Sequence, residues 1–277
     1  MTKVYYFEKE NHIIENSVFV LGGFECFHKG HFELLKQAKL TNQKITFFIF
    51  ANPKDLPKNK TLNFSDITSR IQVLANLKID NILITTFNEK LQNLSGEEFL
   101  NILIKKGANN FIVGSDFSIS KNYDAAKIKK DFPNSIIVNV LEDENNKKIS
   151  TRILKEYLAE GKITLVNKYL VSNYLTEIYI NFKNEVIFNF DNISLAPGIY
   201  LTKLIINNLK YFSYLTIPLE KNKPNIIKIF NFNYNVETIE KAFLEIIQEY
   251  KIFNKEVNFS LNKNDFSKIK NLLLEIN

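Results

Sequence analysis

Short apolar runs alternate with amphipathic stretches through residues 1–170. Ser17–Gly22 (SVFVLG) is apolar and closes on a glycine, which predicts a buried strand entering a turn. From His31 to Ala38 the apolar residues Phe32, Leu34, Leu35 and Ala38 return at mixed three- and four-residue spacing, so a helix begins near Gly30. Ile45–Phe50 (ITFFIF) and Asn81–Thr85 (NILIT) predict two more buried strands, separated by a helix over Asp66–Leu77. Gly96–Lys106 predicts a helix with Glu97 and Glu98 in its first turn, where the dipole favours acidic residues. Asn110–Val113 and Ser135–Val140 are further short strands, and Thr151–Glu160 is a helix that stops at Gly161.

After Val171 the texture changes. Leu175–Phe182, Glu185–Phe190, Gly198–Ile206, Lys210–Ile217 and Asn225–Phe232 read as strands separated by turn residues such as Asn184 and Pro197-Gly198. Two helices, Val236–Tyr250 and Asp265–Glu275, close the chain. The fold class expected is therefore α/β. A doubly wound parallel-sheet domain covers residues 1–170, and a smaller β-rich, barrel-like domain with C-terminal helices covers 171–277. Sheets of the first kind bind ligands beyond the carboxyl ends of their strands, where the strand order reverses. Gly22–His31 lies at one such end.

Composition narrows the function classes. An apolar fraction of 45% over 277 residues is enough for a core in each of two domains. The single Cys excludes a disulfide framework and a multi-cysteine metal site. No signal-like segment opens the chain, and no run approaches the ~20 apolar residues of a membrane helix, so a cytoplasmic protein is expected. The net charge of +6 is spread out, with only short clusters such as Lys127-Lys129-Lys130 and Lys147-Lys148. That is a solvated lysine-rich surface rather than the clustered stripe of a nucleic-acid binder.

The candidate chemistry sits in His28-Lys29-Gly30-His31, between a predicted strand and a predicted helix. A helix amino terminus offers unpaired N–H groups and partial positive charge, which suit phosphate. Gly30 lets backbone approach a ligand, and the two flanking histidines can donate hydrogen bonds as charge builds at phosphorus. Phosphoryl-type transfer needs positioning and charge stabilisation, so no nucleophilic side chain is required. Two alternatives stay open: the histidines cap the helix, or they bind a metal, for which no suitably spaced third ligand is evident. Cys26, inside the motif, reads as a small packing residue.

Further segments follow the HxGH turn in order: Phe50-Ala51-Asn52-Pro53, TLNFSDITSRIQVLANLKID, FNEKLQNLSGEEF, Val113-Gly114-Ser115-Asp116-Phe117, and Ile149-Ser150-Thr151-Arg152-Ile153-Leu154 leading to Glu160-Gly161. Over residues 15–170 the series resembles the prokaryotic bifunctional riboflavin kinase/FMN adenylyltransferases (FAD synthetases) of the HIGH-type nucleotidyltransferase superfamily. The resemblance implies that His28, His31 and Arg152 carry the catalysis. It implies that Gly22, Gly23, Phe24, Glu25 and Gly30 line ATP, with Ser150 and Thr151 holding the triphosphate from a second helix amino terminus. Asn52, Pro53, Asp116 and Phe117 would meet flavin or nucleotide, Mg²⁺ would accompany ATP, and FMN and FAD would be acceptor and product. Read on their residue types alone, Asp116 also suits a turn or cap and Arg152 a surface ion pair.

The chain departs from that pattern in places. Glu25 stands for an Asp, Cys26 for a Gly and Leu154 for an Arg, and Ser118-Ile119-Ser120 follows Phe117 where the family has Phe-Gly. Ala196-Pro197-Gly198-Ile199-Tyr200 fits the family's kinase-module turn. The kinase's G-R-x-L-G-F-P-T-A-N segment has no counterpart between Leu170 and Pro197. Its catalytic Glu should fall within Ile226–Phe232, where Lys228 is nearest and cannot act as a carboxylate base. The expectation is an FMN adenylyltransferase with a degenerate kinase half. The alternatives are a bifunctional enzyme that keeps kinase activity, a silent flavin- or nucleotide-binding protein, or an enzyme with another phosphate acceptor such as nicotinate mononucleotide or phosphopantetheine.

Overall fold

Continuous burial identifies the central strands of the first sheet. Strand β2 (Ser17–Leu21) and strand β4 (Asn81–Thr85) are buried at every position, as strands covered on both faces must be. The computed structural model describes residues 1–9, 13–14, 16–57, 61–120, 122–144, 148–230, 238–253 and 263–275. The chain divides into two compact units, Met1–Asn63 with Arg70–Thr151, and Phe64–Ser69 with Arg152–Asn277.

In the first unit β1 (Lys3–Tyr6), β2, β3 (Lys44–Phe50), β4, β5 (Ala108–Gly114) and β8 (Ile136–Val138) form one sheet in the order β1-β4-β3-β2-β5-β8. Every pairing in it is parallel. Helix α1 (Lys29–Leu40) connects β2 to β3, and α2 (Ile67–Asn76) lies between β3 and β4. Between β4 and β5 come α3 (Glu89–Gln92) and α4 (Gly96–Lys105); α4 is capped by the reciprocal Ser95–Glu98 box. Beyond β5 the hairpin β6 (Ser118–Ser120) and β7 (Tyr123–Asp124) leads to α5 (Ala125–Asp131), and α6 (Thr151–Ala159), which belongs to the second unit from Arg152 on, follows β8. The chain leaves β2 toward β3 on one side, while β5 pairs on the other. The loops after β2 and β5 therefore flank a topological switch point, the place such sheets use for ligands. Phe19, Leu21, Phe48, Leu83, Phe99, Leu100, Phe111 and Val113 form the core between sheet and helices.

In the second unit α7 (Ile163–Tyr169) precedes a closed antiparallel barrel. Its strands are β9 (Tyr174–Ile180), β10 (Glu185–Phe188), β11 (Gly198–Ile206), β12 (Leu209–Ile217), β13 (Asn225–Ile229) and β14 (Glu240–Ile252), in the order β10-β13-β12-β11-β14-β9. Helix α8 (Lys263–Glu275) covers a cluster containing Ile199, Leu201, Tyr214 and Ile247. Asp66 accepts from Ser69 N at 2.7 Å and from Glu177 N at 2.9 Å, which ties the segment Phe64–Ser69 to β9.

One predicted element is overturned. The helix expected over Val236–Tyr250 is strand β14, which pairs with β9 and β11 and closes the barrel; residues 236–237, like 231–232 of the predicted strand Asn225–Phe232, lie outside the described residues. Ala242, Leu244 and Ile246 are buried in alternation, while Ile247 and Tyr250 join the cluster beneath α8. Burial on both faces masks the period of two, and the mixed spacing then imitates a helix. The strand β1 and the short helices α3, α5 and α7 were not expected from the apolar pattern, which is weak in each.

Candidate functional site

The turn between β2 and α1 is built around ring packing. Phe24 takes a left-handed conformation at φ 40°, unusual for an aromatic residue. Its ring lies so near position 22 that a Cβ there would come within 2.7 Å, so glycine is required at Gly22. Phe24, Phe27 and Phe47 pack with ring centroids 4.8–6.3 Å apart, and Phe24 meets the His31 ring edge-on at 4.8 Å. His28 and His31 stack face to face, with centroids 3.7 Å apart and planes 13° from parallel. A Cβ on Gly30 would stand 3.0 Å from His28 Cε1, so the glycine makes room for the stack.

Hydrogen bonds distinguish the two imidazoles. His28 is the N-cap of α1: its Nδ1 accepts from His31 N at 3.2 Å and so carries no hydrogen there. In the neutral ring the proton is on Nε2, which can donate to a ligand. His31 Nδ1 lies 2.8 Å from the Cys26 carbonyl, which only accepts, so this nitrogen carries the hydrogen and Nε2 keeps a lone pair. Burial holds His28 at a pKa of about 4, the Lys148 charge adding to the effect against its own backbone and Asp116. Burial likewise pushes His31 well below its usual value, helped by His28 and Lys148 and opposed by the Cys26 carbonyl. Both rings are neutral at pH 7.

Two of the other expected segments follow the carboxyl ends of strands β3 and β5. Gly114–Phe117 is a turn after β5 closed by Phe117 N donating to Gly114 O at 3.0 Å. Asp116 is exposed there and pairs with Lys148, while Phe117 packs against the core. Ser150 and Thr151 begin α6, and Thr151 Oγ1 sits 3.3 Å from Cys26 Sγ. Cys26 thus joins the two helix amino termini: its carbonyl orients His31 and its sulfur meets Thr151. Asn52 and Pro53 follow β3, where Arg70 donates to Phe50 O at 2.7 Å and to Ala51 O at 2.6 Å. Gly23 and Gly30 present backbone at the same turn as Gly22, and Glu25 beside them is buried. Arg152 belongs to the second unit, where its side chain is 89% exposed and pairs with Glu156. Leu154, where a phosphate-binding arginine would stand, is 1% exposed and part of a core.

Sequence reading missed Lys148, Arg70 and the joining role of Cys26. Lys148 is visible in the sequence only as half of a lysine pair, two residues before Ser150. Among the described residues no three His, Cys, Asp or Glu side chains converge as a metal site. None of the described helices is long and apolar enough to cross a membrane.

A doubly wound sheet with a helix amino terminus at its switch point offers a site for a phosphate-bearing ligand, and the paired histidines stand at that terminus. The FAD synthetase family model matches residues 10–153, more than half of the chain, and the chain belongs to that family. A bifunctional riboflavin kinase/FMN adenylyltransferase from Buchnera aphidicola is 30% identical over 173 residues, covering 57% of this chain and 55% of its own length. This chain therefore spans little more than half of that relative. A phosphopantetheine adenylyltransferase from Mycoplasma capricolum is 31% identical over 138 residues, 49% of this chain and 91% of its own length. A crystal structure described as a macrolide-efflux protein from Streptococcus pneumoniae superposes with a TM-score of 0.82 over 100% of this chain and 99% of that one. At 19% identity that likeness is one of fold.

Proposed function

We propose that the chain is an FMN adenylyltransferase, converting ATP and FMN to FAD and pyrophosphate. The observation that carries the reading is the stacked His28–His31 pair at the amino terminus of α1, in a chain of the FAD synthetase family. An oxygen of the FMN phosphate attacks the α-phosphorus of ATP in line. The new P–O bond forms as the bond to the bridging oxygen breaks, and the electron pair leaves with pyrophosphate. His28 Nε2–H, the backbone N–H groups of α1 and the start of α6 at Ser150 and Thr151 would meet the charge that develops there. The family resemblance also makes Arg152 catalytic; in the second unit its side chain pairs with Glu156. Glu25, Phe24, Gly22, Gly23 and Gly30 would line ATP, and Asn52, Pro53, Asp116 and Phe117 would meet the nucleotide or flavin. Mg²⁺ would arrive on the triphosphate as part of the substrate.

The test is direct. Purified chain with ATP, Mg²⁺ and FMN should form FAD, read by chromatography, and His31→Ala should abolish it. The phosphopantetheine adenylyltransferase likeness gives a second reading of the acceptor. If phosphopantetheine is adenylylated and FAD never forms, the acceptor is not FMN. We also propose that the barrel no longer phosphorylates riboflavin, because the nearest residue to the expected base is Lys228, exposed on β13. Riboflavin with ATP should then yield no FMN. The protein is read as acting in the cytoplasm.

A further inference from the structure

We propose that Lys148 is a cation of the triphosphate site, held by Asp116 until ATP binds and then drawn onto its phosphates; the inference rests on the adenylyl-transfer reading of this site. Its place in the fold is fixed by backbone. Lys148 bridges antiparallel to Glu142, and Ile149 N donates to Leu141 O at 3.2 Å. Leu141 Cβ stands 3.8 Å from where a Cβ on Gly30 would lie, so this pair of segments runs past the glycine between the histidines. Three residues beyond Lys148, Thr151 touches Cys26. Lys148 is also close enough for its charge to disfavour protonation of both imidazoles.

The partner of Lys148 is weakly held. Lys148 and Asp116 side chains are each 49% exposed, and ion pairs that wet contribute little. A triphosphate carries several negative charges and outcompetes a single carboxylate for the ammonium. The neighbouring charges do not prevent this: Glu142 across the bridge and Lys29 beside the motif are both exposed. The site also needs the charge. Position 154 is a buried leucine, and both histidines are neutral at pH 7. Asp116 would then act as a counter-ion that keeps Lys148 extended over the turn.

The test uses the full chain and Mg-ATP, with calorimetric binding, FAD formation and an NMR titration of the histidines. Lys148→Met should weaken Mg-ATP binding ~10-fold or more while leaving the KM for FMN unchanged, and Lys148→Arg should stay within ~3-fold of the parent. In Lys148→Met the pKa of His28 should rise, a change that places the lysine beside the ring and also shows that the variant is folded. If Lys148→Met binds Mg-ATP within ~2-fold of the parent while His31→Asn loses it, the assignment of Lys148 fails and the adenylyl-transfer reading stands. A parent chain that does not bind Mg-ATP overturns both.

Discussion

The stacked histidines make one titration carry both stability and function. His28 ordinarily titrates at 6.5 and in the folded chain at about 4. Between those values the unfolded chain binds a proton that the folded chain does not, so stability falls as pH drops from 6.5 toward 4 and levels off below it. At 1.36 kcal/mol per pKa unit the loss from His28 is about 3 kcal/mol. Urea unfolding across that range should show it, and His28→Gln should flatten that part of the curve. Gly30→Ala separates the two roles. Its Cβ, 3.0 Å from the His28 ring, makes the imidazole shift by a few tenths of an ångström against His31, while alanine is the better helix former by up to ~1 kcal/mol. Adenylyl transfer should fall ~10- to 100-fold with the melting temperature unchanged or higher; a fall in both would show that the glycine serves only the fold. The HxGH turn was legible in the sequence because a strand, a glycine and a helix start mark it locally, whereas Asp116, Ser150 and Thr151 were reached only through the family resemblance. Lys148, Arg70 and the sulfur contact of Cys26 were not legible, since Asp116, Phe50 and Ala51, and Thr151 lie 19 to 125 residues away from them in sequence.

At the scale of elements five strands of the parallel sheet were legible, while its edge strand β1 and one strand of the barrel were not. Strands such as Asn81–Thr85 are covered on both faces and short, and helices such as α4 carry their own capping box, so each declares itself locally. Strand β14 does not, because its identity comes from β9 and β11 on either side of it. A barrel that lacked this strand would expose two edges, which is why pairing overrides the helical spacing. The alternation has a measurable consequence. Leu244 is fully buried, whereas Glu245 beside it is only partly buried and accepts a hydrogen bond from Asn173. Leu244→Ala should cost ~2–5 kcal/mol in urea unfolding, and Glu245→Gln less than ~1 kcal/mol. Equal costs at the two positions would contradict a period of two.

For the whole molecule, the open matter is how many nucleotide sites two units carry. One unit holds the histidine turn and the other the closed barrel, and each has its own hydrophobic cluster. The Buchnera relative is described as having two activities, while this chain covers 55% of that protein, so a second activity does not transfer by likeness. Ligand binding slows amide exchange where it adds contacts or suppresses local opening, which makes the count observable without assuming a reaction. With saturating Mg-ATP, protection should rise at Gly22–His31, Gly114–Phe117 and Ser150–Thr151. Strands β11 and β12 should exchange as they do without nucleotide. Protection in the barrel as well would mean a second nucleotide site there, and would revive the bifunctional reading despite Lys228. Protection in the barrel alone would place the nucleotide away from the histidines and overturn the adenylyl-transfer assignment itself.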